Sequence, residues 1–176
     1  MIAEEELLRT KNMVLKPVVL KMNGAARLHI GENNVIHPSV RIWSVGGEVR
    51  LGSCNVFEER VCLYNRSETA PLVVGDFNLF RVGSRLVSGE LGSCNELGIN
   101  ARVEECRLSS GNFVGAATYL GPDTPLLERQ SVSLCGGPAD NGAFDEKQHK
   151  NVVLVTIKKT NDTLKRALAR AAEKNR

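Results

Sequence analysis

Three histidines, His29, His37 and His149, are the side chains best suited to proton transfer or zinc ligation in this 176-residue chain. A general base needs one histidine in a cleft, and a catalytic zinc needs three converging ligands and an open position. The spacing serves neither chemistry well, because no histidine occurs between Pro38 and Gln148. His37, in Ile36-His37-Pro38, stands beside an apolar residue and is expected to point outward at a turn. His149 is expected in a polar loop. The five cysteines, Cys54, Cys62, Cys94, Cys106 and Cys135, include no Cys-x-x-Cys pair, so reduced cytosolic thiols are the simplest reading. The sequence has no phosphate-binding Gly-rich loop and no nucleophile elbow. No catalytic residue, metal or cofactor is therefore expected.

The elements that position these side chains follow from a repeat. Ile30-Gly31-Glu32-Asn33-Asn34-Val35-Ile36, Leu51-Gly52-Ser53-Cys54-Asn55-Val56-Phe57, Val74-Gly75-Asp76-Phe77-Asn78-Leu79-Phe80, Leu91-Gly92-Ser93-Cys94-Asn95-Glu96-Leu97 and Leu108-Ser109-Ser110-Gly111-Asn112-Phe113-Val114 share one pattern. Asn34, Asn55, Asn78, Asn95 and Asn112 hold the same place in each copy. Between them the apolar residues fall about six apart: Ile30, Ile36, Ile42; Leu51, Phe57, Leu63; Val74, Phe80, Leu86; Leu91, Leu97, Val103; Leu108, Val114, Leu120. Helices want steps of three and four, and isolated strands steps of two. Six residues make a short strand and a bend, and three such sides close a coil of about 18 residues. The expected fold is an all-β solenoid, a left-handed parallel β-helix of hexapeptide repeats with a C-terminal α-helix. Each coil buries its apolar side only by stacking on the next. The Asn and Gly positions are expected at bends that need positive φ, with the Asn side chains stacked as a structural ladder.

Spacing also sets the expected boundaries: an N-terminal tail at 1–16, the β-helix at 17–137, a polar loop at 138–150 and a helical extension at 151–176. Two longer steps, around 45–48 and 65–71, are rich in turn formers and are expected to project from the coil. Leu126 or Leu127 with Val132 points to one last coil. In the extension, Leu164, Leu168, Ala171 and Ala172 form one apolar stripe at helical spacing, capped by Asn161 or Asp162. The run Val152–Ile157 reads as a strand by propensity or as a buried helical turn. Charge is uneven: the stretch from Glu146 to Arg176 carries a net +6 and the rest of the chain −3. No run approaches the ~18 apolar residues of a membrane span, and the stretch 1–10 does not read as a signal peptide. Neither a nucleic-acid partner nor a transmembrane segment is expected. The 64–71 loop and the basic helix are the candidate partner-contact elements, with Tyr64, Arg66, Leu164, Leu168 and Arg170 as the residues singled out.

Two enzyme classes use this architecture, and both remain as alternatives. A trimeric hexapeptide-repeat acyltransferase would need a general base, here His37. A γ-carbonic-anhydrase-like protein would need three zinc-binding histidines and a Gly-His-x-x-x-x-His motif, which is absent.

Ile30-Gly31 through Val35-Ile36-His37-Pro38-Ser39-Val40-Arg41-Ile42, then Leu51 to Glu59, Val74 to Gly83, and Val114-Gly115-Ala116 resemble, in that order, the coils of the dynactin subunit 6 family of pointed-end subunits. The resemblance covers roughly the stretch 17–175. It implies a non-catalytic scaffold in the cytoplasm and cytoskeleton, serving dynein-driven microtubule transport and cargo or adaptor binding. Its implied partners are dynactin subunit 5 as a heterodimer, the sixty-two-kilodalton dynactin subunit and a pointed-end actin-related protein.

Overall fold

The computed structural model describes residues 11–133 and 145–174. Its strands are two to four residues long and pair in parallel, each with the strand one coil away. Three faces recur in fixed order. Face A comprises Met13–Val14, Val35–Ile36, Val56–Phe57, Leu79–Phe80, Glu96–Leu97, Phe113–Val114 and Ser131–Val132. Face B comprises Val19–Met22, Arg41–Ser44, Cys62–Asn65, Arg85–Val87, Arg102–Glu104 and Tyr119–Leu120. Face C comprises Leu28–Ile30, Val49–Leu51, Leu72–Val74, Glu90–Leu91 and Arg107–Leu108, and Leu127 bridges to Leu108 below it. The chain is thus a parallel β-solenoid of about six coils, followed by one helix, α1 (Glu146–Lys174).

The inward residues stack in register. On face A, Ile36, Phe57, Phe80, Leu97 and Val114 pair in succession; on face B, Leu20, Ile42, Leu63, Leu86, Val103 and Leu120 do so. These columns and their face C counterparts form one buried core. Phe57 and Phe80 stack with ring centroids 4.9 Å apart at its middle. The aliphatic beads at six-residue spacing are therefore the core contacts that turn each coil into a template for the next.

The bends differ from expectation in one respect. The ladder asparagines do not take the left-handed conformation; the residue before each one does. Asn33, Cys54, Phe77, Cys94 and Gly111 have φ of 59°, 58°, 57°, 59° and 78°. Non-glycine residues adopt that region only where surrounding structure enforces it, and here the ladder supplies the enforcement. Glycine in the motif answers to space rather than to φ. A Cβ on Gly75 would stand 2.8 Å from the backbone carbonyl of Gly92 one coil on, closer than packing allows. Where the fifth copy has Ser109, its hydroxyl donates to the Leu127 carbonyl at 2.8 Å.

Element boundaries also shift. The first strand, Met13–Val14, pairs with Val35–Ile36, so the solenoid starts upstream of residue 17. The longer corners at 45–48 and 66–71 lie at the edge between faces B and C and stack on each other. Gly47 N–H donates to Ser67 O at 2.8 Å, and Asn65 Nδ2 donates to Glu48 O and Ala70 O at 3.0 and 2.9 Å. α1 starts at Glu146, inside the stretch read as polar loop; residues 138–144 of that loop lie outside the described residues. Its start is capped by Asp145 Oδ1, which accepts from Gln148 N–H at 3.0 Å, not by Asn161 or Asp162, which lie in its interior. The Val152–Ile157 run is helical.

Candidate functional site

The recurring polar side chains are held in a column. Asn34, Asn55, Asn78, Asn95 and Asn112 are all 0% exposed. The side-chain oxygen of each accepts the backbone N–H of its successor, at 2.9 Å for Asn34 to Asn55 and 2.8 Å for the three later steps. The amide nitrogens donate onward, as Asn55 Nδ2 does to Gly75 O at 2.9 Å. Two rungs escaped sequence reading. Asn12 Oδ1 accepts from Asn34 N–H at 2.8 Å, and Gln130 N–H donates to Asn112 Oδ1 at 3.1 Å. Asn12 precedes Asn34 by one coil length, so the spacing itself was the available signal. This column holds coil register and presents no free polar group to a substrate.

The histidines do not converge. His29 faces Glu48 at 3.9 Å on face C. His37 lies at the corner between faces A and B, with Nδ1 3.0 Å from Glu59 Oε1 on the next coil. The Glu59 carboxyl is held below its ordinary value, first by its own backbone N–H and further by His37. His149 is not in a loop: it lies in the first turn of α1, 7% exposed, with Nε2 3.0 Å from the Phe77 carbonyl. Burial pushes its pKa below the usual value. Among the described residues no three of His, Cys, Asp and Glu gather as a metal site. Burial raises the Cys54, Cys62 and Cys106 thiols, and Cys94 to about 11. Thiols held neutral in this way are poor nucleophiles.

Face A is covered by α1. Glu146 accepts from the Cys94 thiol on the fifth coil at 3.7 Å, and His149 meets Phe77 on the fourth. Buried Val153 packs with outward-facing Val35, Val56 and Leu79, flanked by Met13, Phe77 and Ile157. The helix therefore runs back down the stack. At 1.5 Å per residue against about 4.8 Å per coil, it passes the first coil near residue 159. Beside it, Arg81 bridges Glu96 at 2.8 Å and Glu58 at 3.1 Å, and Glu58 also accepts from Val82 N–H at 2.9 Å. The docking stripe is thus His149, Val153 and Ile157, earlier than the expected Leu164–Ala172 stripe. Leu164 is half-buried and Arg170 exposed; the side chains of Leu168, Ala171 and Ala172 lie outside the described residues.

Tyr64 and Arg66 lie on and just beyond face B. Tyr64 meets the Trp43 ring edge-on, centroids 5.9 Å apart, and the Arg66 guanidinium stands 5.8 Å from the Tyr64 centroid. Arg66 also reaches Glu105 at 3.5 Å and Glu104 at 3.9 Å. Among the described residues no helix is long and apolar enough to cross a membrane.

No family model matches the chain. It is 36% identical to Dynactin subunit 6 of Caenorhabditis elegans over 81 residues, 46% of this chain and 45% of the relative. It is 30% identical to Dynactin subunit 6 of Xenopus tropicalis over 98 residues, 49% of each. The chain thus spans about half the length of the curated relatives it matches. Among solved structures, a Bacillus cereus protein described as an acetyltransferase superposes with a TM-score of 0.56 at 14% identity, over 85% of this chain and 95% of that one. At that identity the likeness concerns the fold alone. The chain is a hexapeptide-repeat β-solenoid whose curated homologues carry the name dynactin subunit 6, as the order of its coils led us to expect.

Proposed function

We propose that this chain is a non-catalytic scaffold subunit of a dynactin pointed-end complex, supporting dynein-driven transport through cargo or adaptor binding. The similarity to curated dynactin subunit 6 proteins carries the reading. The side-chain chemistry supports it: the asparagines are spent on coil register, the described thiols are pushed toward the neutral form, and His149 is buried under α1. Its partners are dynactin subunit 5, the sixty-two-kilodalton subunit and the pointed-end actin-related protein, in the cytoplasm on the cytoskeleton. Flat outer faces on a stiff prism suit interfaces of standard size, about 800 Å² per partner. Tyr64 and Arg66 on the face B side, and Leu164, Leu168 and Arg170 beyond the docked part of α1, are the proposed contacts.

The test is co-expression with dynactin subunit 5 from the same organism, followed by size exclusion with light scattering. A stable 1:1 complex supports the scaffold. A homotrimer that ignores subunit 5 overturns it.

One observation favours a second reading. The His37–Glu59 pair, 3.0 Å apart, has the arrangement of an imidazole oriented by a carboxylate, as in an acyltransferase base. That reading requires turnover of an acyl-CoA donor that is lost in His37→Ala; a wild-type chain inert toward such donors removes it.

A further inference from the structure

Face B carries an outward column in which Val19, Arg41, Cys62, Arg85, Arg102 and Tyr119 succeed one another in register. The three arginines are exposed. Among the described residues none has a carboxylate within ion-pairing distance, as is also true of Arg27 and Arg60, whereas Arg50, Arg66, Arg81 and Arg107 all do. Arg85 and Arg102 stand directly opposite each other on adjacent strands. Like charges in that position destabilise a sheet. Face C shows the alternative the same geometry allows: Glu90 and Arg107 are directly opposite and pair at 3.1 Å. The nearby carboxylates of Glu104 and Glu105 are committed to Arg66. Cys62, between Arg41 and Arg85, is no counter-charge, because burial pushes its thiol up. Among the described residues no carboxylate relieves the repulsion within the column.

We propose that face B is a docking surface for an acidic helix of a partner protein, laid along the stack so that its carboxylates meet Arg41, Arg85 and Arg102. Charge complementarity requires the acid, and two observations select the helix. Arg41 and Arg85 are two rungs apart, and Arg102 one further, about 9.6 and 14.4 Å along the axis. Positions i, i+7 and i+10 or i+11 of a helix share one face and rise by about 10.5 and 15–16.5 Å. The neighbouring face already holds a helix in this orientation, since α1 runs down the coils of face A from Cys94 toward Met13. The Trp43–Tyr64 pair, half-buried in the adjacent outward column, offers apolar area beside the charges. This surface is inferred from the charges of the face and does not rest on the dynactin reading.

The test is fluorescence anisotropy of the full chain with a six-turn, alanine-rich helical peptide carrying glutamates on one face. A peptide of equal composition with glutamates spread around the helix is the comparison. The expected result is at least tenfold weaker binding of the one-faced peptide by Arg41→Ser/Arg85→Ser/Arg102→Ser. Lys159→Ser/Lys165→Ser/Arg166→Ser, which removes equal charge from exposed positions of α1, should change it less than twofold. The spread peptide should bind wild type at least fivefold more weakly. Circular dichroism melting verifies that both variants fold. Equal loss in the two variants, or equal binding of the two peptides, would reduce the surface to net charge and overturn the proposal. So would tighter column-dependent binding of a short DNA duplex or of vesicles of phosphatidylcholine and phosphatidylserine mixed four to one, or no binding of the one-faced peptide.

Discussion

Faces A and B are built from the same rungs and end differently at their outer surfaces. Face A turns Val35, Val56 and Leu79 outward and covers them with Val153 of α1, and its charges at Arg81, Glu58 and Glu96 are paired. Face B turns Arg41, Arg85 and Arg102 outward and leaves them bare. The difference teaches that the inward column makes the prism, while the outward column decides what lies against it. One face has its occupant in the same chain. For the other, we propose an occupant from a partner protein.

The strongest way to break the comparison is to undress face A. Val153→Asp places a charge in the 0%-exposed seat of α1 and should cost roughly 3–5 kcal/mol of docking stability. Amide exchange should then show α1 unprotected while the coils keep their protection. Loss of protection in both would mean the helix is part of the core rather than a cover. Asn78→Leu or Asn95→Leu attacks what both faces share. Each breaks a buried ladder of 2.8 Å bonds and should lower stability by ~1–3 kcal/mol in chemical denaturation. An unchanged midpoint would sever the asparagine column from coil register.

Acid offers a gentler probe of face A. His149 is buried neutral, so its folded pKa lies below its ordinary 6.5. The unfolded chain then binds the extra proton first. Stability from this group is full above pH 6.5 and is lost as pH falls through the folded value, by at most about 1.4 kcal/mol per pH unit. The drop in melting temperature between pH 7 and 5.5 should shrink in His149→Gln. Smaller still is Thr118→Val. Its hydroxyl is buried without a partner, so the isosteric change should be neutral or stabilise by up to about 1 kcal/mol. On face B, Arg85→Ser should move stability by no more than about 0.5 kcal/mol, with relief of the Arg85–Arg102 repulsion favouring the variant.

Much of this molecule was legible because its information is local and repeated. Ile36, Phe57, Phe80, Leu97 and Val114 recur at coil length, and the structure stacks them in the expected register. Asn12 and Gln130 were missed because the motif's glycine is replaced there by Arg9 and Leu127, although its aliphatic positions are kept. The left-handed bends were assigned to Asn and Gly because propensity favours them. The ladder instead forces the preceding Cys54, Phe77 and Cys94 into that region, a tertiary effect that no local preference encodes. The docking stripe of α1 was overlooked because Leu164 and Leu168 make a cleaner apolar stripe than His149, Val153 and Ile157. Which stripe docks depends on what face A presents, and Val35, Val56 and Leu79 reveal that only once the coil is closed. The exposed arginines were invisible for the same reason: Arg41, Arg85 and Arg102 are far apart in sequence, and Arg41 joins the column only because the long corners at 45–48 and 66–71 lengthen the coils between it and Arg85.

The most direct test of the outward columns is hydroxyl-radical footprinting of the chain alone and in the complex proposed for it. The account predicts that Trp43, Tyr64 and Tyr119 on face B lose reactivity severalfold on assembly, while Phe77 under α1 does not change. Unaltered reactivity at all three aromatic residues of face B would contradict it.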